Sequence, residues 1–132
     1  MTRINLLDPS LLSNKHLVAE HKEITRIFTR VRTKPVDLIK IPESYRMGTG
    51  HVTFFYDKLG FIKNRYLSLV AEMHKRGYST DSEKRKSILQ ATDEQVVDKN
   101  LWKEYTPTQE ALSENLQRLQ ERDFEFYKNV RY

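Results

Sequence analysis

The most informative absence in this sequence is that of cysteine. None of the 132 residues is a cysteine, which excludes disulfide bonds, thiolate metal sites, iron–sulfur clusters and cysteine nucleophiles. No apolar run approaches the roughly 18 residues that a membrane-spanning helix needs. The first ten residues, MTRINLLDPS, also lack the stretch of small apolar residues that forms the centre of a signal peptide. From these absences we expect a cytoplasmic protein with no membrane partner.

Internal repeats, low-complexity tracts and long alternations of apolar and polar residues are absent as well, so the pattern does not favour a sheet. What remains is the composition of a small folded domain. Hydrophobic residues make up 38% and aromatic residues 11% of a chain long enough for one core and too short for two. Lys and Arg number 23 against 18 Asp and Glu, and the net charge of +5 favours a polyanionic partner.

Helical spacing of the apolar residues predicts an all-α single compact domain of three main helices, with short extra helices and long loops. The first helix is predicted to begin at Ser13 or Asn14 and to end near residue 32. The second is predicted over residues 51–76 and to end at Gly77. Gly60 costs this helix about 1 kcal/mol relative to alanine, which suggests close packing there. The buried faces are predicted to contain Leu17, Ile24, Phe28 and Val31 in the first helix and Val52, Phe55, Leu59, Ile62, Tyr66, Leu69 and Met73 in the second.

The rest of the chain is predicted to contain shorter helices. Residues 33–50 carry two prolines and two glycines and indicate a loop. Two short helices are predicted near residues 81–89 and 93–99. In the last helix, Thr106 is the predicted N-cap, Pro107 the first residue and Gln109 the partner in a capping box. The inward face of this helix is predicted to contain Leu112, Leu116 and Leu119.

The predicted first helix has the most unusual surface, because Glu23 lies at the centre of a basic strip. The side chains that helical spacing places on or beside this strip are Lys15, His16, Lys22, Arg26 and Arg30. Nearby positive charge favours the charged form of a carboxylate, so Glu23 could act as a base or stabilise a developing cation. The alternative is a solvated face on which Glu23 forms ordinary ion pairs with Lys22 or Arg26.

Two further patterns in this half of the chain are weaker. His16 and Glu20 are four residues apart, as paired metal ligands on a helix are, but no third ligand is placed by spacing, so we predict no metal site. Gly48-Thr49-Gly50 precedes a predicted helix and could accept a phosphate at its N-terminus. It lacks the full nucleotide-binding signature, and no strand precedes it.

A second basic surface is predicted near the end of the chain. Arg118 and Arg122 lie one turn apart on the last helix, opposite its leucines. Rings and cations alternate in the tail, which suits base stacking and phosphate contacts. These tail residues are Phe126, Tyr127, Lys128, Arg131 and Tyr132. The alternative is that the rings close the core while the cations point outward.

Three blocks of the sequence resemble one enzyme family. They are MTRINL at the start, HLVAEHKE-x-x-R around Glu23, and GHVTFFYDKLGFIKNR followed by KRGY. Their order and spacing are similar to those of the phage pyrimidine-dimer DNA glycosylases, ultraviolet-repair enzymes also called endonuclease V of T-even phages. The resemblance is close over residues 1–78 and resumes more loosely at residues 105–107 and 117–119, whereas residues 79–104 diverge.

The resemblance implies a bifunctional enzyme that removes cis-syn cyclobutane pyrimidine dimers and then cleaves the backbone at the abasic site. The family's nucleophile is the α-amino group of the second residue after removal of Met1, and Thr2 matches that position. An α-amine has an ordinary pKa of about 7.7–8.0, and Arg3 with the basic strip should lower it, which enriches the neutral nucleophile. Glu23 matches the family's essential carboxylate, which stabilises the cationic sugar and moves protons during β-elimination. No cofactor and no metal are implied.

The resemblance also implies a DNA-binding face. Family members kink DNA and expel the adenine opposite the lesion, at a cost that phosphate contacts offset. The positions that match or conservatively replace this face are Arg3, His16, Lys22, Arg26, Arg118 and Arg122, and Lys15, Tyr127 and Lys128 complete the predicted DNA-binding set. The expected partner is double-stranded DNA containing pyrimidine dimers or abasic sites, bound by a monomer.

Departures from the family pattern leave the lesion open. Lys15 stands where the family's type member has Gln, and His21 stands where it has Tyr. Lys22 replaces Arg, which keeps the charge but loses the bidentate phosphate geometry, and Thr25 replaces Pro. A glycosylase for another damaged or modified base therefore stays open. A non-catalytic DNA-binding protein stays open too, although the retained catalytic pair argues against it.

Overall fold

The computed structural model describes residues 3–80 and 83–131 and shows an all-α protein, as the sequence predicts. Its helices are α1 (Asn14–Glu23), α2 (Thr25–Thr33), α3 (Leu59–Lys75), α4 (Glu83–Gln95), α5 (Gln109–Arg122) and the short α6 (Phe124–Tyr127). Short 3-10 turns lie at Pro9–Leu11, Leu38–Lys40, Thr53–Phe55 and Lys99–Leu101. Helix α1 packs against α3, α2 against α4, and α5 against α6. None of the described helices is long and apolar enough to cross a membrane.

The predicted first helix is present, but it is divided at Ile24 into α1 and α2. Ser13 is the N-cap, as predicted, because its hydroxyl accepts the N–H of His16 at 3.2 Å. The N–H of Ile27 donates to the carbonyl of Ile24 at 3.2 Å, and this i→i+3 bond tightens the chain between the two helices. The predicted apolar face is confirmed, since all four of its members are buried, namely Leu17, Ile24, Phe28 and Val31.

The predicted start of the second long helix is wrong, because α3 begins at Leu59. The chain before it is held in turns. Gly50 has a φ of 89°, and Lys58 leaves the helical region with φ −123° and ψ 42°. Phe54 and Phe55 are buried in an aromatic cluster with Tyr45. Tertiary packing therefore overrides the helical spacing of this stretch. The predicted end is confirmed, because Gly77 follows α3 with a φ of 87°.

The close packing predicted at Gly60 is confirmed. A Cβ atom on Gly60 would lie 2.9 Å from the carbonyl oxygen of Trp102 and 3.1 Å from that of Lys103. Backbone hydrogen bonds join the same two segments. Lys103 donates to the carbonyl of Asp57 at 3.2 Å, and Phe61 donates to the carbonyl of Lys103 at 3.3 Å. The start of α3 is thus fixed to the segment that leads into α5.

The second half of the chain is helical, as predicted, but several of the predicted helix boundaries are wrong. One helix, α4, replaces the two short helices predicted there, and residues 81 and 82 lie outside the described residues. Helix α5 has Thr108 rather than Thr106 as its N-cap, since the Thr108 hydroxyl accepts the N–H of Ala111 at 3.1 Å. This start turns Ala111 and Asn115 inward as well as Leu116 and Leu119. Leu112 is half-buried.

Candidate active site

A pocket of about 390 Å³ lies where the N-terminal segment passes between α1 and α5. Arg3 enters it from the segment, and Lys15, His16 and Glu23 enter it from one side of α1. Arg122 closes it from α5. The pocket therefore unites five of the residues that were predicted from the sequence to form the site. Thr2, the predicted nucleophile, lies outside the described residues. Its neighbour in the sequence, Arg3, belongs to the pocket lining.

Positive charge dominates this pocket. Burial lowers the pKa of the Arg3 guanidinium, and the neighbouring Arg122 and Arg118 lower it further. Burial likewise lowers the pKa of His16, with additional contributions from Lys15 and Arg3. The smaller contributions mean that Arg3 lies close enough to Arg118 and Arg122, and His16 close enough to Lys15 and Arg3, for their positive charges to repel. Such a field attracts phosphates and stabilises an anion placed among the cations.

Two carboxylates three residues apart on α1, Glu20 and Glu23, differ in burial and in hydrogen bonding. Glu20 is 2% exposed, and its oxygens accept from Nε and Nη2 of Arg65 at 2.8 and 3.1 Å. It also accepts from Nδ2 of Asn5 at 2.9 Å. Glu23 is partly exposed and forms no salt bridge with any residue in 3–80 or 83–131. Both oxygens of Glu20 thus accept hydrogen bonds inside the protein, whereas the Glu23 carboxylate forms no such ion pair with the described residues and faces the pocket.

Four buried polar side chains hold the backbone of the N-terminal segment beside the pocket; we call them the N-terminal anchor, and they are Glu20, His51, Arg65 and Asn115. The N–H of Ile4 donates to Nε2 of His51 at 2.8 Å. The N–H groups of Leu6 and Leu7 both donate to Oδ1 of Asn115, at 2.7 and 3.1 Å. These bonds fix the segment to α5 and to the loop before α3.

The ion pair within the anchor completes this attachment. Nη1 of Arg65 donates to the carbonyl of Leu7 at 2.6 Å while the rest of its guanidinium binds Glu20. The side chain of Asn5 bridges the two halves of the anchor, donating to Glu20 and accepting from Nδ2 of Asn115 at 2.9 Å. The polar atoms that these residues bury are therefore hydrogen-bonded, which is the condition for burying them without a large cost.

The anchor is not apparent from the sequence, although the sequence contains a signal for part of it. Glu20 lies on the apolar face of α1 between Leu17 and Ile24, and Asn115 lies four residues after Ala111 on that of α5. A polar residue at an apolar position of a helix indicates a buried hydrogen-bonding role. The spacing of Glu20 and His16 is that of paired metal ligands, but both Glu20 oxygens accept hydrogen bonds from Arg65 instead.

Tyr127, predicted to contact DNA, has no exposed surface. Its hydroxyl accepts the N–H of Ser13 at 2.9 Å and lies 2.7 Å from Nδ1 of His16, and its ring stacks on His16 at 5.5 Å. The structure therefore gives Tyr127 a supporting position beneath His16 rather than a contact with DNA. The alternative that the rings of the tail close the core is therefore right for Tyr127, whereas Phe124 and Phe126 are exposed.

The remaining predicted DNA-binding residues lie outside the pocket. Lys22 and Arg26 line a groove of about 650 Å³ between α2 and α4, in which Arg30, Lys34 and Arg85 add further positive charge. Arg118 is close enough to Arg3 to influence its pKa. Lys128 lines a separate hollow with Phe124 and Arg131. The basic surface is thus wider than the pocket and continues around α1.

Two weaker sequence patterns correspond to no site among the described residues. Gly48 and Gly50 have φ values of 73° and 89°, but the following α-helix begins only at Leu59, so these glycines do not lie at its N-terminus, where a phosphate could be accepted. Within the described residues, no group of three or more His, Asp or Glu side chains is arranged to hold a metal ion. An apolar cleft of about 570 Å³ between α3 and α4 contains none of the predicted site residues.

Comparison with known proteins bears on the same half of the chain. The N-terminal segment, α1, α2 and α3 all fall within the part that matches a known family, and so do Glu23 and three of the four anchor residues. The match ends within α4, before Asn115, Arg118 and Arg122. The matching sequence model is described as pyrimidine dimer DNA glycosylase and covers residues 1–86.

Proposed function

Because the chain belongs to the pyrimidine dimer DNA glycosylase family, we propose that it excises cis-syn cyclobutane dimers from double-stranded DNA and then cleaves the strand at the abasic site. The observation that carries this proposal is Glu23, a carboxylate without a salt-bridge partner among the described residues in a pocket of cations. Arg3, which is bonded to Thr2, lines the same pocket. A nucleophile beside a proton carrier is what a combined glycosylase and lyase needs.

In the first step, the neutral α-amine of Thr2 attacks C1′ of the damaged nucleotide. A C1′–N bond forms as the bond from C1′ to the pyrimidine breaks, and the electron pair leaves with the pyrimidine, which takes up a proton from water. Positive charge develops on the sugar in the transition state, and the Glu23 carboxylate stabilises it. The proton released by the attacking nitrogen passes through Glu23 to O4′ as the ring opens, which leaves a protonated imine.

In the second step, the protonated imine makes the hydrogen on C2′ acidic, and Glu23 accepts it. The electron pair left on C2′ forms a C2′=C3′ double bond as the C3′–O3′ bond breaks and the phosphate leaves with that oxygen. Water then adds to the imine carbon and releases the free amine of the enzyme. Each of these steps uses groups of this chain and water.

The cations around the pocket bind the phosphates that flank the reacting sugar. Arg3, Lys15 and Arg122 lie in the pocket lining, and they have no acidic partner within salt-bridge distance among the described residues. Lys22 and Arg26 extend the positive surface to the groove between α2 and α4. Phosphate contacts of this kind orient the duplex and supply most of the salt-dependent affinity.

A borohydride trapping experiment tests the proposal. We expect a duplex with one cis-syn thymine dimer to form a covalent adduct, which mass spectrometry locates on the N-terminal peptide, and to be nicked when borohydride is omitted. The Glu23→Gln variant should still bind this duplex but cleave it roughly 10²–10⁴-fold more slowly. Glu43→Gln, which alters an exposed carboxylate outside the pocket lining, is the matched control and should behave as the wild type.

The same experiment separates the alternatives. An adduct with an abasic-site duplex but none with the dimer duplex would assign the chemistry to another damaged or modified base. Binding without any adduct or nick would leave a DNA-binding protein without catalysis. Equal turnover by wild type and Glu23→Gln would remove Glu23 from the mechanism.

A further inference from the structure

His51 is a buried imidazole with both ring nitrogens engaged by the backbone. It is 4% exposed, its Nε2 accepts the N–H of Ile4 at 2.8 Å, and its Nδ1 lies 2.8 Å from the carbonyl oxygen of Arg46. A carbonyl can only accept, so Nδ1 carries the proton and donates it to this bond. Nε2 must then be unprotonated to accept from Ile4. The geometry therefore defines a neutral imidazole of one tautomer.

The surroundings of His51 fix both the ring and the residue that it holds. Tyr45 and Phe55 contact the ring edge-on, at centroid distances of 5.4 and 5.8 Å. The hydroxyl of Tyr45 also donates to the carbonyl of Ile4 at 3.3 Å. Both backbone polar groups of Ile4 are thus held by one aromatic cluster. Only Arg3 separates Ile4 from the proposed nucleophile in the sequence.

We propose that His51 is a positioning residue for the nucleophilic step, because its bond to Ile4 sets the point from which the α-amine of Thr2 approaches C1′. The inference rests on the proposed function and adds a residue that does not touch the substrate. Displacement of a reacting group by about 1 Å can cost on the order of 10²-fold in rate. A rigid attachment two residues from the amine is therefore a strong means of control.

The charges that face His51 favour the neutral ring. Burial is the main cause that lowers its pKa, and Arg3 and Arg118 lower it further, whereas the bond to the Arg46 carbonyl and the charge of Glu20 oppose this. Tyr45 is the other titratable group against the ring, and burial raises its pKa to an extent that keeps it neutral. Protonation of His51 in acid would remove the acceptor for Ile4 and add a cation beside Arg3. The N-terminal segment would then lose this attachment.

The test measures the single-turnover rate of borohydride trapping on an abasic-site duplex. His51→Phe keeps the aromatic contacts and removes both hydrogen bonds, and we expect it to slow trapping roughly 10–100-fold. Its affinity for a duplex containing a tetrahydrofuran abasic analogue should be unchanged. His51→Gln should recover part of the rate, because its amide oxygen can accept the N–H of Ile4. Thr92→Val changes a buried residue of α4, 0% exposed, that does not line the pocket. It is the control that shows whether a loss of stability alone slows trapping.

Two further measurements separate positioning from folding. In the wild type, nitrogen-15 NMR should show the Nδ1–H tautomer of His51 and slow exchange of the Ile4 amide. The logarithm of the trapping rate should rise more steeply with pH below the ordinary imidazole value of 6.5 in the wild type than in His51→Gln. This comparison applies even where His51→Phe does not fold.

The outcomes are distinguishable from failure of the proposed function. If the wild type forms no adduct, the proposed function fails and the inference fails with it. If the wild type forms the adduct and His51→Phe forms it at the same rate, only the inference is overturned. A loss of affinity equal to the loss of rate would also overturn it, as would identical pH profiles for the wild type and His51→Gln.

Discussion

The side of the molecule that holds the N-terminal segment has its ion pair buried, whereas the side covered by α4 has its ion pair exposed to solvent. In the N-terminal anchor, the ion pair of Arg65 and Glu20 is 6% and 1% exposed in its side chains. On the α4 side, the ion pair of Lys63 and Asp93 is 39% and 41% exposed. Both pairs involve α3, yet one is inside the protein and the other on its surface.

Two buried histidines show the same contrast. Both nitrogens of His51 in the anchor are hydrogen-bonded. His21, which stacks on Tyr66 at 5.8 Å, has an Nε2 atom without a hydrogen-bond partner in the described structure. A buried polar group costs free energy unless it is paired. The fully paired side is the one where backbone atoms must stay fixed beside the pocket, so we infer that positional accuracy, rather than stability alone, accounts for its polar packing.

The buried ion pair of the anchor should contribute much more to the free energy of unfolding than the exposed pair on the α4 side. Arg65→Met leaves the carboxylate of Glu20 and the carbonyl of Leu7 buried without their partner. We expect a loss of about 3–5 kcal/mol in the free energy of unfolding, measured by urea denaturation. The double variant Arg65→Met/Glu20→Leu should regain part of this loss, because it buries no unpaired charge. A loss no larger than that of an exposed ion pair would contradict this prediction.

A steric contact at the start of α3 gives the next largest effect. Gly60→Ala places a methyl group against the carbonyl oxygens of Trp102 and Lys103, which cannot move without shifting the backbone. We expect about 1–3 kcal/mol of destabilisation by the same measurement, as for other overpacked sites. Gly77→Ala would not be a clean control because of its positive φ, whereas Ala71→Gly on the exposed face of α3 measures the helix propensity alone. Unchanged stability of Gly60→Ala would mean that the 102–104 segment yields easily.

The smallest effect is expected for the exposed ion pair on the α4 side. Lys63→Met removes its contact with Asp93 at 3.3 Å. Solvent screens such pairs, so the free energy of unfolding should change by about 0.5 kcal/mol or less. A change as large as that of Arg65→Met would show that exposure does not separate the two sides.

Much of the fold and part of the site could be predicted from the sequence. The apolar face of α1 and α2 follows from helical spacing, and so does the placement of Lys15, His16 and Glu23 on one side of α1. Gly60 indicated a close contact correctly, because a glycine inside a helix costs free energy unless something requires it. These features depend on residues near one another in the chain.

The features that the sequence did not reveal depend on distant residues. The start of α3 was predicted too early because Phe54 and Phe55 have the helical spacing but are buried in an aromatic cluster with Tyr45. Tyr127 looked like a residue of a basic tail, yet it packs 114 positions away against Ser13. Spacing within one segment cannot identify a partner on another, and the N-terminal anchor consists of such partners.

The bonds of Asn115 join the two ends of the chain, which limits how early they can form during synthesis and folding. Asn115 is 110 positions from Asn5 and 109 from Leu6, so almost the whole chain must close before these bonds can form. Closing so long a loop costs entropy, and contacts of this kind form late in folding. A nascent chain that still has α5 inside the ribosome therefore lacks the Asn115 bonds to Leu6 and Leu7, although His51 and Arg65, the partners of Ile4 and Leu7, have already been synthesised. The attachment of the N-terminal segment to α5 is therefore the last part of the anchor to form, after translation is nearly complete.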